Sequence, residues 1–263
     1  MILDEIVRHK REEVAESRRR HPLDEVRARA GDAPPPRDFR SALAARPDVA
    51  LIAEIKRSSP SAGLIRKDFE PATIAGAYAE GGAAAISVLT DERFFGGGLR
   101  HIAQVKAAAP IPVLRKDFVI DEYQVYEARA AEADAILLIV RILSDEEIAA
   151  HLALTHELGM AALVETHNRG ELERAVRSDA SVIGINNRDL DALTIDLAAT
   201  EALVRDVPPP RLAVSESGIS SRQDIERLAQ CGVHAVLVGE ALMKSDDIPA
   251  AVRELTRVPR MTR

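Results

Sequence analysis

The sequence is short of several things, and each shortage removes a class of protein. It holds one cysteine, Cys231, among 263 residues, which excludes an internal disulfide framework and fits a reducing compartment. Cys231 stands before Gly232 near the end of a helical segment, where it reads as a small buried apolar side chain and not as a nucleophile. No apolar run approaches the length of a membrane span, and the N-terminus is densely charged rather than built as a signal peptide. The chain is therefore expected in the cytoplasm, without a membrane partner. Basic charge is not in excess either: the formal net charge is −7, whereas binding a phosphate backbone wants a basic face, so nucleic acid is not an expected partner. Metal-ligating clusters are missing. His151 and His156 are five apart on a helix, which does not make them neighbours on one face, and no second cluster completes a site. His167 reads as a polar residue at a strand end.

What is present is enough apolar material, 46% of residues, to bury a full core in one domain spanning residues 1–263. Residues 1–48 form a helical preface to it. Ile2, Leu3, Ile6, Val7 and Val14 recur at helical spacing among charges, and the cluster Arg18-Arg19-Arg20-His21 makes a solvated helix end. Residues 23–30 form a second short helix, and Pro34-Pro35-Pro36 is a stiff connector. From Val49 onward apolar runs of strand length alternate with amphipathic helices, the pattern of a parallel sheet. The expected strands are 49–57, 83–90, 112–118, 133–140, 161–167, 182–189, 211–219 and 235–243. The expected helices are 73–80, 99–108, 122–131, 145–158, 170–177, 197–205, 221–230 and 248–256, with Ser144 and Ser220 as caps. Eight of each match an α/β fold closed as a (β/α)8 TIM barrel with an N-terminal helical extension. An open doubly wound sheet would carry a Gly-rich nucleotide turn after its first strand, and Ser58-Ser59-Pro60-Ser61-Ala62-Gly63 is not one.

In such a barrel the site lies at the carboxyl ends of the strands, and the polar residues cluster there. The first strand ends in Glu54 and Lys56, the third in Lys116 and Asp117, the fifth in Glu165 with His167 two places on, and the sixth in Asn186, Asn187 and Arg188. The seventh ends in Ser215, Glu216 and Ser217, and the eighth in Gly239 and Glu240. Alternation puts Glu54 with Lys56, Asn186 with Arg188, and Ser215 with Ser217 on common faces; Glu216 has the other parity and reaches the mouth only if its strand has begun to turn. Any one of these residues alone reads as well as a salt bridge or a surface charge. As a set, two lysines and two glutamates facing inward shift one another's pKa values, so one pocket can hold a proton donor and a proton acceptor. Gly218 and Gly239 follow the last two strands, where barrels cradle a phosphate with backbone N–H groups. Phe95-Gly96-Gly97-Gly98 reads as a mobile loop carrying an aromatic ring to the mouth, with Phe118, Leu137 and Leu190 as further apolar wall. The expected ligand is a small molecule with an apolar ring at one end and a phosphate at the other.

Four motifs in order, residues 52–61 (IAEIKRSSPS), 114–118 (LRKDF), 183–190 (IGINNRDL) and 215–219 (SESGI), together with the opening Ile2-Leu3-Asp4-Glu5-Ile6, make the chain resemble the indole-3-glycerol phosphate synthase family over nearly its whole length. The resemblance implies a carboxy-lyase of tryptophan biosynthesis. Its reaction closes a ring in 1-(2-carboxyphenylamino)-1-deoxyribulose 5-phosphate with loss of carbon dioxide and water, without a cofactor. By resemblance, Lys116 is the general acid, Glu165 the base of the dehydration, and Lys56, oriented by Glu54, the partner of the substrate carboxylate or a second acid. Asn186 and Ser217 position hydroxyls and amine, and Arg188, Glu216 and Glu240 line the site. Ser59, Gly218 and Gly239 resemble phosphate-binding positions, and Pro60, Phe95, Phe118, Leu137 and Leu190 the ring pocket. The chain departs from the family pattern at Ala62, where many relatives carry a loop lysine near the phosphate. It ends soon after the eighth helix, without a fused isomerase, and a monomer is expected. Two rivals predict differently: phosphoribosylanthranilate isomerase chemistry wants a Cys and an Asp, and a barrel that only senses a phosphorylated metabolite would survive loss of Lys116 or Glu165.

Overall fold

The computed structural model describes residues 2–189 and 194–261. Eight parallel strands close into a barrel: β1 (Ala50–Ile55), β2 (Ala85–Leu89), β3 (Val113–Lys116), β4 (Ala135–Ile139), β5 (Ala161–Thr166), β6 (Val182–Asn186), β7 (Leu212–Glu216) and β8 (Ala235–Val238). Strand β1 pairs with both β2 and β8, which closes the ring. The inward residues, among them Ile52, Leu114, Leu137, Leu163, Val214 and Leu237, pack against one another as a separate apolar cluster. The outward residues meet the surrounding helices in a larger one. Each fully buried aliphatic side chain of this kind contributes roughly 1.5–3 kcal/mol relative to exposure.

Three helices precede the barrel: α1 (Ile2–Arg20), α2 (Leu23–Asp32) and α3 (Phe39–Ala44). The third was not expected from sequence; it is short, capped by the Asp38 side chain accepting from Ser41 N–H, and seats Phe39 and Leu43 in the inner apolar cluster. The basic end of α1 is exposed, as expected of a solvated helix end, with surface pairs from Arg18 to Asp121 at 2.5 Å and from Arg19 and Arg20 to Glu16. The barrel helices are α4 (Pro71–Gly81), α5 (Arg100–Ala108), α6 (Glu122–Ala130), α7 (Asp145–Glu157), α8 (Arg169–Arg177), α9 (Ala198–Leu203), α10 (Arg222–Gln230) and α11 (Ile248–Leu255). Ser144 caps α7 in a full capping box with Glu147. At α10 the cap is Ser221, not Ser220: the Ser221 side chain accepts from Asp224 N–H, and Asp224 accepts in return.

The strands stop short of their expected ends, because pairing ends as the chain turns into the loops that carry polar residues to the mouth. The eighth run shows this most clearly: Gly239 ends it, and Glu240–Met243 is a helical turn instead of strand. Cys231 is the C-cap residue of α10 and half-buried, not buried. Residues 96–98 are a loop, as expected, but the residues leading into it are wound. Glu92–Phe95 is a helical turn capped by Asp91, and Gly97 lies so close to the backbone of Leu89 that a Cβ there would stand 2.4 Å from its carbonyl oxygen. No helix among the described residues is long and apolar enough to cross a membrane.

Candidate active site

The mouth at the carboxyl ends of the strands opens into a cavity of about 640 Å³. The residues expected from sequence meet there: Glu54, Lys56, Ser59, Pro60, Phe95, Lys116, Phe118, Leu137, Glu165, Asn186, Arg188, Glu216, Ser217, Gly218, Gly239 and Glu240 all line it. Leu190 lies outside the described residues. Helix α1 closes the cavity from above with Ile2, Leu3 and Ile6, and Leu89, Ile139, Ile195, Ile219 and Leu237 add apolar wall. The Phe95 and Phe118 rings stand 6.1 Å apart, centroid to centroid, at one side.

The polar floor follows from strand alternation. Ile52 and Leu114 point into the barrel, so Glu54, Lys56 and Lys116 do as well. Lys56 Nζ lies 2.8 Å from Glu54 Oε1. Lys116 Nζ lies 3.4 Å from Glu165 Oε2 and 3.7 Å from Glu216 Oε2. Tyr78 of α4 donates its hydroxyl to the Glu54 carbonyl at 2.9 Å, tying the end of β1 to the helix layer.

Glu216 corrects the parity expected for β7. Val214 belongs to the inner cluster, so Glu216 continues the inward face, and it is Ser215 that points outward, bonded to Asn187 and Thr200. Ser217 reaches the mouth because it has left the strand, in a left-handed conformation with φ +68°. Asn187 likewise points outward: its amide donates to Ser215 Oγ and to the Glu216 and Ser217 carbonyls, and its oxygen accepts from Thr200. Two glycines make room for the buried carboxylates. A Cβ on Gly184 would stand 2.2 Å from Glu216 Oε1, and one on Gly239 2.5 Å from Glu54 Oε1. Gly239 therefore has a packing role beside the phosphate role expected of it.

Burial lowers the Lys116 pKa, but Glu165, Glu216 and Glu54 together outweigh burial and raise it well above the usual lysine value. It stays protonated. For Glu165, burial works upward, and Lys116, His167 and Asn186 work downward more strongly, so the carboxylate is held well below its ordinary range. Glu54 is lowered in the same sense, with burial opposed by Lys56 and then Lys116. Glu216 goes the other way: burial and the adjacent Glu165 raise it, against a weaker pull from Lys116. The site thus holds an ammonium donor beside an ionised carboxylate, with a second carboxyl kept neutral nearby. Such a set can protonate a developing alkoxide and accept a proton elsewhere on the same substrate.

Two residues with no assigned part in the sequence reading complete the surroundings. Lys10 of α1 is fully buried, with Nζ 2.9 Å from Asp117 Oδ1, 3.0 Å from Asp91 Oδ2 and 2.9 Å from Glu13 Oε2. Its position in the apolar stripe Leu3, Ile6, Val14 was the available signal. Asp117 also pairs with Arg115 at 3.1 Å, so it belongs to this anchor behind the site more than to the floor. His167 is buried against Glu165 and Glu171. No group of three or more His, Cys, Asp or Glu residues able to hold a metal ion occurs among the described residues.

A family model described as indole-3-glycerol phosphate synthase matches residues 3–255. A protein of that name from Roseiflexus sp. (strain RS-1) is 52% identical over 262 residues, covering 97% of this chain and 97% of its own. One from Dehalococcoides mccartyi (strain CBDB1) is 51% identical over 259 residues, covering 97% of this chain and all, 100%, of its own. Among solved structures, a thiamine phosphate pyrophosphorylase from Pyrococcus furiosus superposes with a TM-score of 0.60 at 18% identity, over 83% of this chain and 96% of that one, which is a likeness of fold.

Proposed function

The chain belongs to the indole-3-glycerol phosphate synthase family, and from that membership and the floor of the cavity we propose how its residues divide the family's reaction. The activity is that of a carboxy-lyase of tryptophan biosynthesis, converting 1-(2-carboxyphenylamino)-1-deoxyribulose 5-phosphate to indole-3-glycerol phosphate. The ring carbon that bears the carboxylate attacks the ketone carbon, and Lys116 donates a proton to the oxygen that becomes a hydroxyl. Carbon dioxide leaves and the ring regains aromaticity. Lys116, reprotonated from solvent, gives the second proton with which the hydroxyl departs as water, and Glu165 takes the proton whose loss completes the indole. Lys56, oriented by Glu54, pairs with the substrate carboxylate.

Asn186 and Ser217 position the amine and the reacting hydroxyls, with Arg188, Glu216 and Glu240 around them. Backbone at Gly218 and Gly239, with Ser59, receives the phosphate. Pro60, Phe95, Phe118 and Leu137 flank the aromatic ring. The carrying observation is that Lys56, Lys116 and Glu165, from three separate strands, line one cavity whose other side is apolar. We place the enzyme in the cytoplasm as a monomer; its exposed large apolar side chains among the described residues are scattered ones, Leu64, Ile195 and Met261.

The test is Lys116→Ala. The variant is expected to bind substrate and yield no indole fluorescence, because the ketone oxygen then has no donor. Wild-type turnover by a folded Lys116→Ala protein would remove Lys116 from this role.

A further inference from the structure

His167, the residue after β5, faces the site from behind. Its side chain is 3% exposed, with Nε2 3.3 Å from Glu165 Oε1 and Nδ1 3.0 Å from Glu171 Oε2. Glu171, in the first turn of α8, is itself fixed: it accepts from the His167 backbone N–H at 2.8 Å, from Asn168 Nδ2 at 2.8 Å and from Arg141 Nε at 3.1 Å. A neutral imidazole carries one N–H and leaves one lone pair. With a carboxylate oxygen at each ring nitrogen, the neutral ring would set that lone pair against an anion in a dry pocket. Both nitrogens therefore carry hydrogen, and the ring is an imidazolium. Burial opposes this charge, but Glu165 and Glu171 outweigh it and raise the His167 pKa to about 9.

The groups facing Glu165 come from several strands: Lys116 of β3, Asn186 of β6, Glu216 of β7 and His167. Glu54 of β1 bears on the same cluster directly, by repulsion with Glu165 and Glu216, and also through Lys116. Two carboxyls in contact in a desolvated site do not both ionise, and between them they keep one proton. The reaction requires that proton on Glu216, because Glu165 cannot act as a base while it holds one. The two are not equivalently surrounded. Glu165 meets two cations, Lys116 at 3.4 Å and His167 at 3.3 Å, while the one cation that Glu216 meets among the described residues is Lys116, at 3.7 Å, and its other charged neighbours are the Glu165 and Glu54 carboxyls.

We propose that His167 is a positioning residue that keeps the shared proton on Glu216 and so leaves Glu165 as the free base. It acts through Glu165 and touches no substrate. This inference rests on the reading of Glu165 as the base.

The experiment is kcat and KM against pH, from about pH 6 to about pH 9.5, for wild type, His167→Gln, Glu171→Gln and Glu165→Gln. Without the cation the proton divides between the two carboxyls. His167→Gln is expected to lose about tenfold or more in kcat near pH 6.5 with KM changed less than about threefold, and to recover toward wild type near pH 9 as the second carboxyl ionises. Glu171→Gln, which leaves the imidazole free to lose its proton at neutral pH, is expected to give a smaller deficit of the same shape. It carries the test if His167→Gln does not fold. A ratio of variant to wild-type kcat that stays constant across the pH range, in whichever of the two folds, overturns the inference, since a purely structural role predicts a uniform loss. Glu165→Gln separates the two levels: wild-type turnover by it rejects the base reading itself, whereas an inactive Glu165→Gln beside a pH-independent His167→Gln rejects only the part given to His167.

Discussion

Replacing Lys10 by methionine tests whether the N-terminal helix is held on the barrel by charge as well as by its apolar stripe. The side chains of Lys10, Asp91 and Asp117 are at most 1% exposed. Removing one partner of a buried ion pair strands the other in a low-dielectric setting, which costs about 3–5 kcal/mol. The structure places this case near the lower end. Asp117 keeps Arg115 at 3.1 Å, the Thr90 hydroxyl at 2.6 Å and the Phe118 N–H at 2.8 Å. Asp91 keeps only the Phe94 N–H on Oδ1, and its Oδ2 has no hydrogen-bond partner beyond the contact to Lys10. The expected loss is about 3 kcal/mol, or roughly 6–12 °C in Tm for a chain of this size. Urea unfolding followed by circular dichroism measures it. The double variant Lys10→Met with Asp91→Asn, which removes the stranded charge, is expected to recover at least about 1 kcal/mol. Because α1 also supplies Ile2, Leu3 and Ile6 to the cavity wall, KM is expected to rise by a larger factor than kcat falls. A Lys10→Met protein within about 1 kcal/mol of wild type, or one with unchanged KM, would refute the anchoring argument.

Two further outcomes are expected. Gly184→Ala places a methyl group 2.2 Å from Glu216 Oε1 and 3.3 Å from Leu163 Cδ1, so it should cost about 1–3 kcal/mol of stability and lower kcat about tenfold by displacing Glu216; unaltered steady-state kinetics would show that Glu216 has space to move. The second concerns stability against pH. His167 has a folded pKa raised from 6.5 to about 9, so its contribution is fully present below pH 6.5 and is lost as pH rises through 9; the shift corresponds to at most about 3 kcal/mol. Unfolding free energy should therefore fall between pH 6.5 and 9, more steeply in wild type than in His167→Gln, and parallel curves for the two would contradict the imidazolium assignment.

The barrel was legible because its strands are apolar on both faces and its helices on one, so the change of period marks each boundary region. Glu54, Lys56, Lys116 and Glu165 were legible for a related reason: each continues an inward set begun by Ile52, Leu114 or Leu163. Grouping Ser215 with Ser217 on the mouth face gives Glu216 the wrong parity, because Ser217 has already left the strand with φ +68°; counting forward from Leu212 and Val214 gives the observed face. The partners of Lys10 were not legible, since nothing local to a helix tells a buried lysine which distant loops will supply its carboxylates. His167 carried a partial signal in the i, i+4 spacing to Glu171, but its second partner is Glu165, two residues back along β5, and that contact needs the chain to turn after the strand.

The division of labour between the two carboxyls shows why residue types alone stop short of a mechanism. Glu165 and Glu216 have the same chemistry, lie at the ends of strands β5 and β7 and face the same lysine, so nothing intrinsic to either makes one the base. What differs is what stands behind them. A cation held by Glu171 backs Glu165, while Glu216 sits over Gly184, a residue that supplies space and no charge. Exchanging those backgrounds would exchange the roles. On the proposed division of roles, the acid–base character of this site is set as much in the layer outside the barrel mouth, at α8 and its Arg141 neighbour, as on the floor of the cavity.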